Sequence, residues 1–208
     1  MDKIDRSELK SKAKEQLKGR WGLAIFTVFV SNVLVNSSNV IDMLNEEFNI
    51  SQNLVLSFNL FGLLFSGVLF IGLCKFLLNF TTNKEEPKFS DLFSQFKIYF
   101  KSLGLYILIL LASVVGLLLL LIPGIIVALM FSQAYYILAE NPNKGIIECL
   151  KESIELMKGH KWEFFVLELS FIGWWLLAIL TLGIGTLWVS PYQKVTETNF
   201  YLKLKHNL

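Results

Sequence analysis

The sequence predicts an all-α fold, a polytopic transmembrane helix bundle of about six spans with three amphipathic interfacial helices. Three observations carry that expectation. Of 208 residues, 54% are hydrophobic and 17% charged, against roughly 25% charged in soluble domains. Mean hydropathy is +0.55, more apolar side chain than one soluble core of this size can hide. Long apolar runs then alternate with lysine-bearing segments along the whole chain, which reads as a single integral-membrane domain, 1–208.

A crossing helix needs about 20 apolar residues to traverse roughly 30 Å of hydrocarbon. The first run starts at Trp21 and fades after Val35, through Asn36-Ser37-Ser38-Asn39. The basic stretch before it is too long for a signal peptide, and no small-x-small cleavage site follows. The second run, Leu54 to Phe80, crosses once with tilt. The third, Leu103 to Ala139, would measure about 55 Å as one helix, so the Pro and Gly of Ile122-Pro123-Gly124 predict a hairpin between spans 103–121 and 125–139. The fourth run, Trp162 to Val189, breaks at Gly183-Ile184-Gly185. Beyond it lies the polar stretch 190–199. Either a sixth crossing over 183–201 forms an internal, partly hydrated wall at Pro191, or the span ends at Val189 and an exposed amphipathic tail follows.

Charge sets the orientation. Seven basic residues occupy the first twenty positions (Lys3, Arg6, Lys10, Lys12, Lys14, Lys18, Arg20), and segments 81–101 and 140–161 carry four lysines each. The 36–53 loop has Asp42, Glu46 and Glu47 but no Lys or Arg. Positive residues stay inside, so several passes and two cytoplasmic termini are expected. Amphipathic helices are expected over 4–18, 89–101 and 142–158, with lysines meeting anionic head groups. The order interfacial helix, span, span occurs three times: 1–80, 84–139 and 140–206. Gly67, Gly124 and Gly185 are each followed eight or nine residues later by polar side chains: Lys75, Ser132 with Gln133, and Gln193 with Lys194. A threefold repeat with a polar inner vestibule follows from this spacing.

No catalytic fingerprint, phosphate loop or metal-ligand spacing occurs, so no cofactor and no metal is expected and an enzyme is disfavoured. Cys74 and Cys149 are too few for a disulfide framework. A net charge of +2 gives no reason for nucleic-acid binding. Ionisable residues within spans are costly and mark sites. Glu168 lies six residues beyond Trp162, about 9 Å deeper along a helix. Such a carboxylate is protonated or paired within the bundle, with Lys75, Lys194, Tyr135, Tyr136 and Tyr192 as candidate partners. Lys75 can also snorkel to the interface. Gln133 and Glu197 complete the candidate intramembrane polar site.

Several motifs coincide: Arg6-x-x-Leu9-Lys10, Lys18-Gly19-Arg20-Trp21, Ile122-Pro123-Gly124-Ile125-Ile126 and Ser153-x-x-x-Met157-Lys158-Gly159-His160-Lys161. Leu169-Ser170-Phe171-Ile172-Gly173-Trp174, Leu182-Gly183-Ile184-Gly185, Pro191-Tyr192 and Phe200-Tyr201 follow. Together they resemble the bacterial integral-membrane family known as domain of unknown function 975 (DUF975), over nearly the whole chain; the 36–53 loop departs from the pattern. The resemblance implies a polytopic membrane protein and assigns no functional residues. Relatives fused to glycerophosphodiester phosphodiesterases point, by analogy, to lipid-linked substrates. The expected partners are membrane lipids and an amphiphilic small molecule or peptide. Binding or moving such an amphiphile, or protection against a membrane-active peptide, is the leading expectation. An ion- or proton-coupled transporter or channel, and a scaffold subunit with a homo-oligomeric or membrane-complex partner, are the alternatives.

Overall fold

The computed structural model describes residues 4–48, 50–82, 85–119 and 121–206. Every regular element in them is helical. Lys3 and Lys84 of the basic segments lie outside the described residues, as do the side chains of Glu46 and Glu47.

Helix α1 (Arg6–Leu17) starts where the Asp5 carboxylate accepts from the Ser7 amide at 2.8 Å, a standard N-cap. It buries Leu9, Ala13 and Leu17, spaced one turn apart. Helix α2 (Trp21–Val35) begins and ends where the apolar run does. The 36–53 segment is not the loop its polarity suggests. Ser37–Phe48 forms α3, packed on α4 (Gln52–Thr82). As a helix, α2 is only about 22 Å long. Trp21–Val35 and Asn39–Asn45, bent by 61° relative to each other, reach a spanning length only as a pair.

Segment 89–101 is not one α-helix. A 3-10 helix, Phe89–Ile98, leads directly into α5 (Tyr99–Leu119). Its backbone presses on α4 at Gly72, where a Cβ would stand 1.9 Å from the Leu92 carbonyl oxygen. A side chain at that position is excluded, which is how small residues bring membrane helices together. The expected hairpin is displaced by a few residues. Helix α6 (Leu121–Phe131) already contains Pro123 in its first turn, where a missing N–H costs nothing. Gly124 serves instead as a contact point, 2.9 Å from where a Cβ on Gly116 would sit.

Span four is interrupted at Ser132-Gln133 before α7 (Ala134–Glu140). The expected helix 142–158 starts later, as α8 (Ile146–Leu156), with the Gly145 amide donating to Glu148 Oε2 at 2.9 Å. From α8, Ser153 Oγ donates to the Met130 carbonyl at 2.7 Å and accepts from the Gln133 amide at 3.3 Å. It thereby satisfies both groups freed by the interruption. Span five is interrupted alike, at Ser170-Phe171 between α9 (Lys161–Leu169) and α10 (Ile172–Leu180). Here Lys10 of α1 donates to the Ser170 carbonyl at 3.0 Å and lies 4.2 Å over the Phe171 ring.

Leu182 and Gly183 take left-handed φ angles of 55° and 85°, closing the turn before α11 (Thr186–His206). This helix runs on through Pro191, so the anticipated break is absent. The exposed-tail alternative is overturned, because Val195, Thr196, Thr198, Asn199, Phe200 and Tyr201 are all buried. Helix α11 packs against α1, α2, α4 and α10.

Among the described residues four helical stretches are long and apolar enough to cross a membrane: Gln52–Thr82, Phe89–Leu118, Ile122–Glu140 and Lys161–Leu180. The bent pair at Trp21 makes a fifth if its two helices count as one span. Their outward faces carry large apolar side chains in the open, among them Leu118 at 81% and Leu180 at 78% exposure, and Leu182 in the following turn is 94% exposed. Only hydrocarbon makes such a surface favourable. The molecule is a membrane protein.

Candidate functional site

Glu168 lies in the last turn of α9 and faces α11. Its Oε2 accepts from Gln193 Nε2 at 2.6 Å, while Gln193 Oε1 accepts from Trp175 Nε1 at 2.7 Å. An indole nitrogen can only donate. The Gln193 oxygen must therefore face Trp175, and its amide nitrogen must face Glu168. The second carboxylate oxygen, Glu168 Oε1, is buried with no hydrogen-bond partner among the described residues.

One turn along α11, Lys194 Nζ donates to Glu197 Oε2 at 2.8 Å. The Glu197 side chain is only 10% exposed. Next, Thr198 Oγ1 donates to the Tyr136 hydroxyl at 3.2 Å. Tyr136 stacks on Tyr201 with centroids 5.2 Å apart, and Tyr201 donates to Glu140 Oε2 at 2.7 Å.

These groups surround a cavity of about 430 Å³ between α4, α6, α7, α9 and α11. Tyr135, Tyr136, Glu168, Lys194 and Glu197 line it, as the sequence reading grouped them. Leu73, Leu77, Ile125 and Leu129 form its apolar side, and Phe70 stacks on Tyr135 at 5.6 Å. Among the described residues no group of three or more His, Cys, Asp or Glu side chains is placed to hold a metal ion.

Three candidate residues lie elsewhere. Lys75 reaches Glu85 Oε2 at 3.7 Å and leaves the cavity to its neighbours Leu73, Cys74 and Leu77, consistent with snorkelling rather than a bond to Glu168. Gln133 is buried beneath α8, with Nε2 donating to Ser132 Oγ at 2.8 Å and Oε1 unpartnered. Tyr192 faces the other side of α11, edge-on to Phe171 and Trp174. It lines a separate pocket of about 350 Å³ with Lys14, Lys18, Trp21, Trp174 and Trp188. The partner of Glu168 is thus none of the five proposed. Gln193 takes that place, and the available signal was its position one residue before Lys194 in the same polar stretch.

Outside the spans, burial lowers the pKa of the Lys10 ammonium, with Arg6 and Lys14 adding to the effect and Glu168 opposing it. Burial pushes the Cys149 thiol up, which leaves it unreactive. Cys74 and Cys149 are both free and buried.

Two further cavities continue along α11. One of about 550 Å³ is lined by Asn32, Asn36, Thr186 and Ser190 and shares Gln193 and Lys194 with the central cavity. The other, of about 740 Å³, is lined by Glu8, Lys12, Glu140, Asn199, Lys203 and Lys205. Neither the curated proteins nor the solved structures give a match to this chain. A family model does match, over residues 1–116 and again over 109–208, which together cover the whole length. The chain belongs to the family described as protein of unknown function (DUF975).

Proposed function

We propose that this protein binds a small amphiphile inside the helix bundle, with the head at Glu168, Gln193, Lys194 and Glu197 and the tail along Leu73, Leu77, Ile125 and Leu129. The observation that carries the reading is the divided lining of the central cavity, polar on α9 and α11 and apolar on α4 and α6. Its volume falls in the roughly 300–1,000 Å³ range of small-molecule sites. That size favours a single-chain molecule over a membrane-active peptide. No catalytic constellation converges there, so binding or movement is favoured over chemistry.

The test is native mass spectrometry of the protein released from nanodiscs supplied with dodecanol, a neutral amphiphile. Parent protein should retain dodecanol, and Leu77→Trp, which fills the apolar side, should release it. Equal retention by the two proteins would overturn the reading.

The succession of three cavities along α11 favours a second reading, passage of a solute or ion from one side to the other. Uptake into proteoliposomes that disappears in Glu168→Gln would support it. In either case we place the protein in a bacterial cytoplasmic membrane with both termini inside and α11 as a sixth, shielded crossing. An Asp42→Cys variant should then label from outside in whole cells, and Lys151→Cys only after permeabilisation.

We also read the three units as a pseudo-threefold repeat. The packing supports it in cyclic order: α1 lies on α11, the 3-10 helix on α4, and α8 on α6 and α7. Each amphipathic element therefore docks on the second span of the preceding unit, and α8 satisfies an interrupted span there.

A further inference from the structure

We infer that the amphiphile taken by the central cavity carries a basic nitrogen, bound as a cation at the Glu168 carboxylate. This rests on the reading that the cavity is a small-molecule site and specifies what enters it. The argument is one of charge and hydrogen-bonding capacity around a single group.

The charged side chains lining the cavity are Glu168, Lys194 and Glu197. Lys194 and Glu197 satisfy each other at 2.8 Å, from neighbouring turns of one helix. Glu168 is left with one neutral donor, the Gln193 amide, on Oε2, and its buried Oε1 has no partner. Lys10 acts on Glu168 through its charge, but the described cations of the other elements make their hydrogen bonds elsewhere. Lys10 of α1 donates to the Ser170 carbonyl and lies over the Phe171 ring. Lys75 of α4 reaches Glu85. The other polar groups of the lining, Ser132, Tyr135, Tyr136 and Gln193, bring no charge.

A carboxylate taken from water without a counter-ion is unfavourable, and a vacant acceptor oxygen adds to that cost. A protonated amine meets both deficits at once, since it supplies the missing charge and N–H donors for Oε1. An alcohol supplies a donor but no charge. A carboxylate head meets two glutamates and only a lysine already paired. The ring pair Phe70 and Tyr135 lines the same space, and aromatic faces favour cations over anions. The leucine and isoleucine side of the cavity takes the chain in all three cases, so the head alone decides between them.

The experiment compares dodecylamine, dodecanol and dodecanoate, three probes of one chain length, by native mass spectrometry from nanodiscs at neutral pH, with empty nanodiscs correcting for partition. Dodecylamine should bind the parent protein about tenfold or more tighter than dodecanol, the gain expected of a charge-assisted bond over a neutral one. Dodecanoate should bind weakest. In Glu168→Gln the amine should lose its tenfold advantage over dodecanol. Lys194→Met, which removes the competing cation and frees Glu197, should raise the amine preference further. Dodecanoate binding as well as dodecylamine, or an amine preference that survives Glu168→Gln, would overturn the inference while leaving an amphiphile site in place. Failure of all three probes to bind the parent protein would remove the cavity reading, and this inference with it.

Discussion

Replacing Gln193 by Leu should destabilise the protein more than replacing the carboxylate it serves. Gln193→Leu abandons two half-buried groups at once, Glu168 Oε2 and Trp175 Nε1. A hydrogen bond to a charged group contributes about 1.5–3 kcal/mol, and one between neutral groups about 1 kcal/mol. The expected loss is therefore about 2.5–4 kcal/mol. Glu168→Leu abandons only the Gln193 amide nitrogen and also removes an incompletely paired carboxylate, so its cost should stay near 1 kcal/mol or below. In the double variant Glu168→Leu/Gln193→Leu only the Trp175 N–H is orphaned, which returns the loss to about 1 kcal/mol. The two substitutions should thus couple by about 1.5–4 kcal/mol. Thermal unfolding in detergent reads this directly with a thiol-reactive fluorophore, because Cys74 and Cys149 are buried free thiols and react only on opening. At roughly 2–4 °C per kcal/mol for a chain of this size, Gln193→Leu should fall by roughly 5–15 °C and the double variant should recover most of that. Additive shifts, with coupling under about 0.5 kcal/mol, would refute the pairing of Gln193 with Glu168.

Gly72→Val should prevent accumulation of folded protein in the membrane, because a Cβ there would stand 1.9 Å from the Leu92 carbonyl oxygen; expression followed by size-exclusion chromatography checks it. Ser153→Ala removes the group that both donates to Met130 and accepts from Gln133. It should cost about 1–3 kcal/mol, with the midpoint lowered in the same thiol assay, whereas Ser11→Ala on the exposed face of α1 should leave it unchanged. Lys10 has a folded-state pKa below its ordinary value, so the unfolded chain binds the extra proton as pH climbs from that lowered value towards the ordinary one. Stability from this group should rise with pH across that window, and unfolding midpoints of Lys10→Met should show no such rise.

Much of the fold was legible because hydrocarbon imposes a length and a composition on whatever crosses it. Helix α2 begins and ends with its apolar run, and Gly183 closes the turn assigned to it. What escaped notice was structure set by contact rather than by composition. Helix α3 is polar enough to read as a loop, yet it lies against α4. The 3-10 geometry of Phe89–Ile98 accompanies the close approach to Gly72, which no periodicity in the segment announces. Pro123 marked a hairpin, but a proline in a first helical turn marks the start of the next helix, so the turn itself fell short of it.

The site was legible to the same degree and for a related reason. Depth within an apolar run singles out Glu168 without saying which neighbour it meets, since that depends on how α9 and α11 are rotated about their own axes. Lysines were sought as partners because opposite charges attract, yet Lys194 has an acid three residues along its own helix and is taken by it. Helix α11 holds the most consequential misfit between composition and position. It is too polar to register as a span beside the four apolar stretches, yet its residues from Val195 to Tyr201 are buried throughout. The two facts have one cause. A helix enclosed by other helices is shielded from lipid by them, so its side chains answer to protein partners and cavities rather than to hydrocarbon. Thr198, Asn199 and Gln193 each find such a partner, in Tyr136, Gln16 and Trp175. Low hydropathy late in an otherwise apolar chain therefore marked a helix enclosed by its neighbours, and among the described residues Glu168 Oε1 and Asn199 Oδ1 are buried acceptors that its pairing leaves over.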